Sequence, residues 1–149
     1  LAAPIESLDI DACVAKWKSW EETEKEILRI FNGKPGFIER ALIETKNKYV
    51  DKEGLRRELT AFKAAWPELK ERIRKQIIPF EEVRRRLKLV GAPYEPEQLG
   101  VSRARFRDTF AKIPYMRSRF SNIDIAYRCG FMDEWLERLF GKGGIWEVE

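Results

Sequence analysis

The feature of this sequence that most constrains its fold is a run of apolar residues at helical spacing in the middle of the chain. Between residues 55 and 77 an apolar side chain recurs every three or four positions: Leu55, Leu59, Phe62, Trp66, Leu69, Ile73 and Ile77. This spacing places all of them on one face of an α-helix, so the run predicts a long helix with one buried stripe. Pro67 interrupts the run, and because proline removes a helix hydrogen bond, we expect a kink or a break there.

Shorter stripes of the same period flank this run and are separated by glycine, proline and capping residues. Ser19 and Glu22 have the spacing of a capping box, and Asp51 and Ser102 are placed to cap two later helices. No segment alternates in the manner of a strand. The 149 residues therefore predict one all-α domain of seven or eight helices of mixed length. Helices are expected over residues 5–17, 20–31, 37–50, 52–77 (interrupted at Pro67), 80–90, 103–113, 122–127 and 132–140, with a buried stripe of Phe80, Val83, Leu87 and Val90 on the fifth.

Composition excludes most catalytic chemistry for this chain alone. The sequence has no histidine, so it lacks the commonest general base and the commonest transition-metal ligand. Cys13 and Cys129 are far apart and have no metal-like spacing, which favours reduced thiols and a cytoplasmic protein. No phosphate-binding loop and no apolar run long enough to cross a membrane is present. We therefore assign no catalytic, cofactor-binding or metal-ligating residue and expect no membrane partner.

Positive charge is concentrated in one part of the chain. The net charge is +4, whereas residues 103–119 carry six bases against one acid. Two helix pairs one turn apart, Glu81–Arg85 and Glu82–Arg86, account for the basic run at residues 84–88. The patch at residues 103–119 could attract phosphates, or it could be a solvated helix face. Nucleic acid is an unlikely partner because no helix-turn-helix or RNA-module signature accompanies the patch.

Two arginines within this patch are the candidate site residues. Arg117 and Arg119 lie just before a short helix that Ser121 or Asn122 could cap. Two guanidinium groups and the N–H groups of a helix start could together bind a phosphate. Alternatively, both arginines pair with acids of the chain such as Asp124 or Asp133.

Two segments of this sequence carry a family resemblance. Residues 90–102 read VGAPYEPEQLGVS, and residues 116–127 read MRSRFSNIDIAY. Both resemble segments of sn-glycerol-1-phosphate dehydrogenases, which belong to the iron-containing alcohol dehydrogenase and dehydroquinate synthase superfamily. Outside these two segments, the chain is similar to the family's helical half only in its general arrangement and not in specific motifs.

The resemblance implies that the chain is the helical C-terminal part of such an oxidoreductase. An upstream Rossmann-like nucleotide-binding domain would be its partner, and the intact protein would use NAD(P) and a divalent metal (Zn, Ni or Fe) to interconvert dihydroxyacetone phosphate and sn-glycerol 1-phosphate. The family's metal is held by one Asp and two His, which this chain does not supply, so the chain alone is expected to be inactive. Arg117 and Arg119 match family arginines, and their contact with the substrate phosphate is a hypothesis from charge and position.

Several alternatives stay open at this stage. Related enzymes with the same helical half act on other alcohols, and the choice between NAD and NADP, the metal and homo-oligomer formation are also open. The chain could instead be an independent helical module that binds an acidic partner or nucleic acid through residues 103–119. A third reading is a dimerisation domain that uses the stripe from Leu55 to Ile77.

Overall fold

A computed structural model describes residues 5–148, so residues 1–4 and 149 of the predicted domain lie outside the described part. The described residues form eight α-helices and three short 3₁₀ turns and contain no strand. This architecture confirms the predicted all-α fold. The helices are α1 (Ile10–Lys16), α2 (Trp20–Ile30), α3 (Pro35–Lys46), α4 (Lys52–Gln76), α5 (Phe80–Leu89), α6 (Arg103–Lys112), α7 (Asn122–Arg128) and α8 (Met132–Phe140), and the turns are Ile5–Ser7, Pro96–Leu99 and Ile113–Tyr115.

The predicted capping residues begin their helices as expected. The backbone N–H of Ser19 donates to the Glu22 carboxylate at 2.7 Å, and the N–H of Glu22 donates to the Ser19 hydroxyl at 3.2 Å. Asp51 and Ser102 accept from backbone N–H groups at the starts of α4 and α6. The helix predicted over residues 5–17 is instead divided, because Asp9 accepts from the N–H of Ala12 at 2.9 Å and so starts α1 after a separate turn.

We expect Ser19→Ala to lower the free energy of unfolding by about 1 kcal/mol, because the Glu22 N–H at the start of α2 loses the Ser19 hydroxyl as its acceptor. The midpoint of urea unfolding measures the change, provided that the unfolding free energy depends on urea concentration with the same slope in the variant and the original chain. Thr60→Ala, at an exposed position inside α4, is the control and should have a smaller effect. Equal midpoints for the Ser19 variant and the original chain would contradict the role of the cap.

Of the two outcomes predicted at Pro67, a kink or a break, the break does not occur. Helix α4 runs from Lys52 to Gln76 with Pro67 inside it. Pro67 lies at an exposed position of the helix, and the neighbouring Trp66 packs against Phe62 and the first core cluster.

The core consists of two clusters. In the first, Leu55 and Leu59 of α4 pack against α1, the turn Ile5–Ser7 and Cys129. The second cluster joins α2, α3 and the turn Ile113–Tyr115 around Ile27. The α4 stripe is therefore divided: Leu55 is fully buried, whereas Ile77 is 61% exposed. Leu55 and Leu59 are covered by the chain's own core, so the part of the stripe that could serve dimerisation is its second half, and dimerisation stays a prediction.

Helix α5 is the element in which burial was predicted wrongly. Phe80 and Val83 are exposed, and Val90 is 77% exposed. Two contacts hold α5: Arg84 forms an ion pair with Glu95, and the Phe80 ring, on the predicted stripe, meets the Trp146 ring at 5.9 Å. Leu87 is half-buried, whereas Val83 and Val90 remain in contact with water.

An aromatic cluster holds the C-terminal part of the fold together. Rings of Phe106 and Phe110 on α6 contact Phe140 on α8, and Trp146 packs against Phe106 at 5.1 Å. The Trp146 indole N–H also donates to Glu95, which lies in the segment before α6. This cluster fixes α6, and with it the start of the chain segment that bears Arg117 and Arg119.

Candidate functional site

Arg117 and Arg119 lie in the segment of residues 116–121, which joins the turn Ile113–Tyr115 to α7 and which we call the arginine loop. Both side chains are exposed, and neither forms an ion pair with a residue of the described chain. The alternative that they pair with Asp124 or Asp133 is therefore wrong for this structure. Two guanidinium groups separated by one residue are thus free to bind an anion from solution.

The arginine loop is anchored by a carboxylate from another helix. The N–H of Ser118, between the two arginines, donates to Glu44 Oε2 at 2.6 Å, and Arg40 forms an ion pair with Glu44 Oε1. Glu44 is on α3 and only 7% exposed. Its hydrogen bonds with Ser118, together with the charges of Arg40 and Lys48, hold the pKa of the Glu44 carboxyl below its ordinary value.

The start of α7 is occupied by a carboxylate of the chain itself. Asp124 Oδ2 accepts from the N–H and the hydroxyl of Ser121, each at 2.8 Å, and Asp124 Oδ1 forms an ion pair with Lys48. The Ser121 N–H at this helix start is therefore already used by Asp124 and is not available to an external anion, whereas the guanidinium groups of Arg117 and Arg119 are.

Buried charges join α7 to the rest of the fold. Arg128 is buried, donates to the carbonyl of Lys48 at 2.6 Å and forms an ion pair with Glu58 of α4. Burial lowers the pKa of the Arg128 guanidinium. Arg128, Lys48 and Asp124 line a cavity of about 30 Å³. Such a volume holds about one water molecule, so this cavity is a structural feature rather than a substrate site.

A larger groove of about 800 Å³ opens beside this cavity. Where the two meet, the hydroxyl groups of Tyr115 and Tyr127 lie 3.2 Å apart, and burial raises the pKa of Tyr115 above its ordinary value. Glu26 forms ion pairs with Lys18 and Arg29 on the groove wall. Sequence reasoning missed these residues because they come from separate segments and share no motif. Further charged groups on the wall are Asp9, Lys16, Asp108, Lys112 and Asp133.

The basic residues at 84–88 and those at 103–119 differ in how many of them pair with acids of the described chain. On α5, Glu82 binds both Arg85 and Arg86, which lowers the pKa of Glu82 to about 2, and Arg84 pairs with Glu95. The predicted contact of Glu81 with Arg85 is replaced by this arrangement. In residues 103–119, only Arg103 forms an ion pair with a described residue, namely Glu97. The bases of this run that form no such pair are Arg105, Arg107, Lys112, Arg117 and Arg119.

The described residues offer neither a metal site nor a dinucleotide site. Between residues 5 and 148 no three Asp, Glu or Cys side chains lie close enough to hold a metal ion. Without a strand in this range, there is no strand–loop–helix unit to hold a dinucleotide. The residues present thus do not fit the metal or the NAD(P) that the resemblance implies. None of the described helices is long and apolar enough to span a membrane.

Comparisons with protein-family models, with curated proteins and with solved structures give no match.

Proposed function

We propose that this chain is the helical C-terminal part of an oxidoreductase similar to sn-glycerol-1-phosphate dehydrogenase. The intact protein would interconvert dihydroxyacetone phosphate and sn-glycerol 1-phosphate with NAD(P). The observation that carries the proposal is the anchored arginine loop: its two unpaired guanidinium groups lie in one of the two segments that carry the family resemblance. A phosphorylated substrate is the kind of ligand that such a pair binds well.

The chemistry is divided between two parts of the intact protein in this proposal. Arg117 and Arg119 bind and orient the substrate phosphate. The NAD(P) and the divalent metal are held by residues outside these 149 positions, because the described residues fit neither group. The thiols of Cys13 and Cys129 are free, which supports a reducing, cytoplasmic setting.

The proposal is tested on the reading frame extended upstream of Leu1. We expect the extension to encode a dinucleotide-binding domain and two metal-ligand histidines, and the purified product to oxidise NADH or NADPH when dihydroxyacetone phosphate and Zn²⁺, Ni²⁺ or Fe²⁺ are supplied. The 149-residue chain assayed in the same way should be inactive. An upstream sequence without such a domain, or a metal-loaded product without turnover, would reject the proposal.

Arg119→Ala in the intact enzyme should raise KM for dihydroxyacetone phosphate about tenfold or more, because a charge-assisted contact with the phosphate is lost. The kcat should change little if the contact is equally strong in the ground state and the transition state. Arg107→Ala is the matched control, since Arg107 is also an exposed and unpaired arginine but lies on α6 outside the arginine loop. An unchanged KM for the Arg119 variant would remove this residue from the site.

The second candidate is an independent helical binding module. It is favoured by one observation, the five bases of residues 103–119 that no described acid neutralises. Binding of the 149-residue chain to an acidic peptide or to single-stranded DNA should then weaken steeply with salt concentration. Absence of binding at low salt would discard this candidate.

A further inference from the structure

The anchor of the arginine loop is one buried carboxylate with both oxygens in use. Glu44 Oε2 accepts from the Ser118 N–H, and Glu44 Oε1 pairs with Arg40. Ser118 is the residue between Arg117 and Arg119, so this hydrogen bond ties the backbone between the two arginines to α3. No other hydrogen bond joins the described part of α3 to residues 116–121.

A fixed backbone matters because two arginines bind one phosphate well only when their spacing is held in advance. Each arginine has many rotamers, and a mobile loop would add its own conformational freedom to the cost of binding. The pair with Arg40 has a second consequence. A bare carboxylate beside the loop would repel an anion, whereas a carboxylate paired with a guanidinium has little net field.

We propose that Glu44 is a positioning residue that holds Arg117 and Arg119 for binding of a phosphate group, with Arg40 cancelling its charge. This inference rests on the proposed function, because it assigns the arginine loop to the phosphate of the substrate. Glu44 touches no substrate and acts through the Ser118 backbone. Nothing in the sequence points to it, since α3 and the arginine loop are more than 70 residues apart.

The test uses three variants of the intact enzyme. Glu44→Ala should raise KM for dihydroxyacetone phosphate about tenfold, with kcat and KM for the nicotinamide cofactor within about twofold of the original values. Glu44→Gln keeps a carbonyl acceptor for the Ser118 N–H, so its KM should return to within about threefold. Thr45→Val is the matched control: Thr45 is the next residue, is also buried, and bonds to the carbonyl of Tyr115 at 3.4 Å rather than to the arginine loop. A purely structural role would lower Tm for Glu44→Ala and leave its KM unchanged.

Calorimetric titration of the same proteins with inorganic phosphate separates this inference from the proposed function, because it needs no turnover. If the enzyme turns over and Glu44→Ala affects neither KM nor phosphate affinity, the positioning role is wrong and the function stands. If the enzyme shows no turnover but binds phosphate, and Glu44→Ala weakens phosphate binding about tenfold, the proposed function is wrong and the positioning role stands. Absence of both turnover and phosphate binding overturns both.

Discussion

Asp124→Ala is expected to lower the free energy of unfolding by about 3–5 kcal/mol, because it leaves the charge of Lys48 buried without its partner. Both side chains are largely inaccessible to water, and Asp124 also accepts from the N–H and hydroxyl of Ser121 at the start of α7. The substitution therefore removes an ion pair and a helix cap together. Urea unfolding of the 149-residue protein followed by circular dichroism measures the loss.

Asp133→Ala is the control for this prediction. Asp133 lies in the first turn of α8 but is exposed and forms no ion pair with a described residue, so its removal should cost about 0.5 kcal/mol or less. A loss below about 1 kcal/mol for Asp124→Ala would show that the Lys48 ammonium group is hydrated in solution and that the pair is not a buried one.

Leu55→Ala and Ile77→Ala are expected to differ strongly in stability, although both residues belong to one apolar stripe. Leu55 is fully buried between α4 and α1, so its truncation should cost about 2–5 kcal/mol through lost contacts and the cavity left behind. Ile77 is 61% exposed, so its truncation should cost less than about 1 kcal/mol. The comparison is made from the urea midpoints of the two variants and the original chain.

Losses of similar size at the two positions would mean that the second half of α4 is covered in solution, either by a second copy or by another part of the fold. Analytical ultracentrifugation of the Ile77 variant and the original chain then distinguishes the two cases. A change in sedimentation identifies a second copy, and no change identifies the chain itself.

The candidate site could be predicted from the sequence only in part. Arg117 and Arg119 stand out because charge is dense there and because the surrounding residues resemble a known family. Their lack of acidic partners could not be predicted, since Asp124 lies only five residues beyond Arg119 and has the correct charge. The structure pairs Asp124 with Lys48, which is 76 residues away and buried beside it. Burial makes that pairing stronger than an exposed contact with a flexible arginine.

The division between exposed and buried apolar stripes could not be predicted either. The stripe of α5 has the same helical period as the first half of α4 and is also apolar. Only the latter meets another helix, because α1 covers Leu55 and Leu59, whereas Val83 and Val90 face water. Periodicity shows which face of a helix is apolar, but burial depends on whether another element covers that face.

What the sequence by itself determined was the helical class of the fold and most of the helix ends. The bonds of Ser19, Asp51 and Ser102 join residues three positions apart, so their energies depend on local sequence alone. Only the tertiary structure decided that Glu44 holds the arginine loop and that Lys48 binds Asp124, contacts between residues 74 and 76 positions apart. Such contacts depend on how the helices pack, and no local pattern encodes that packing.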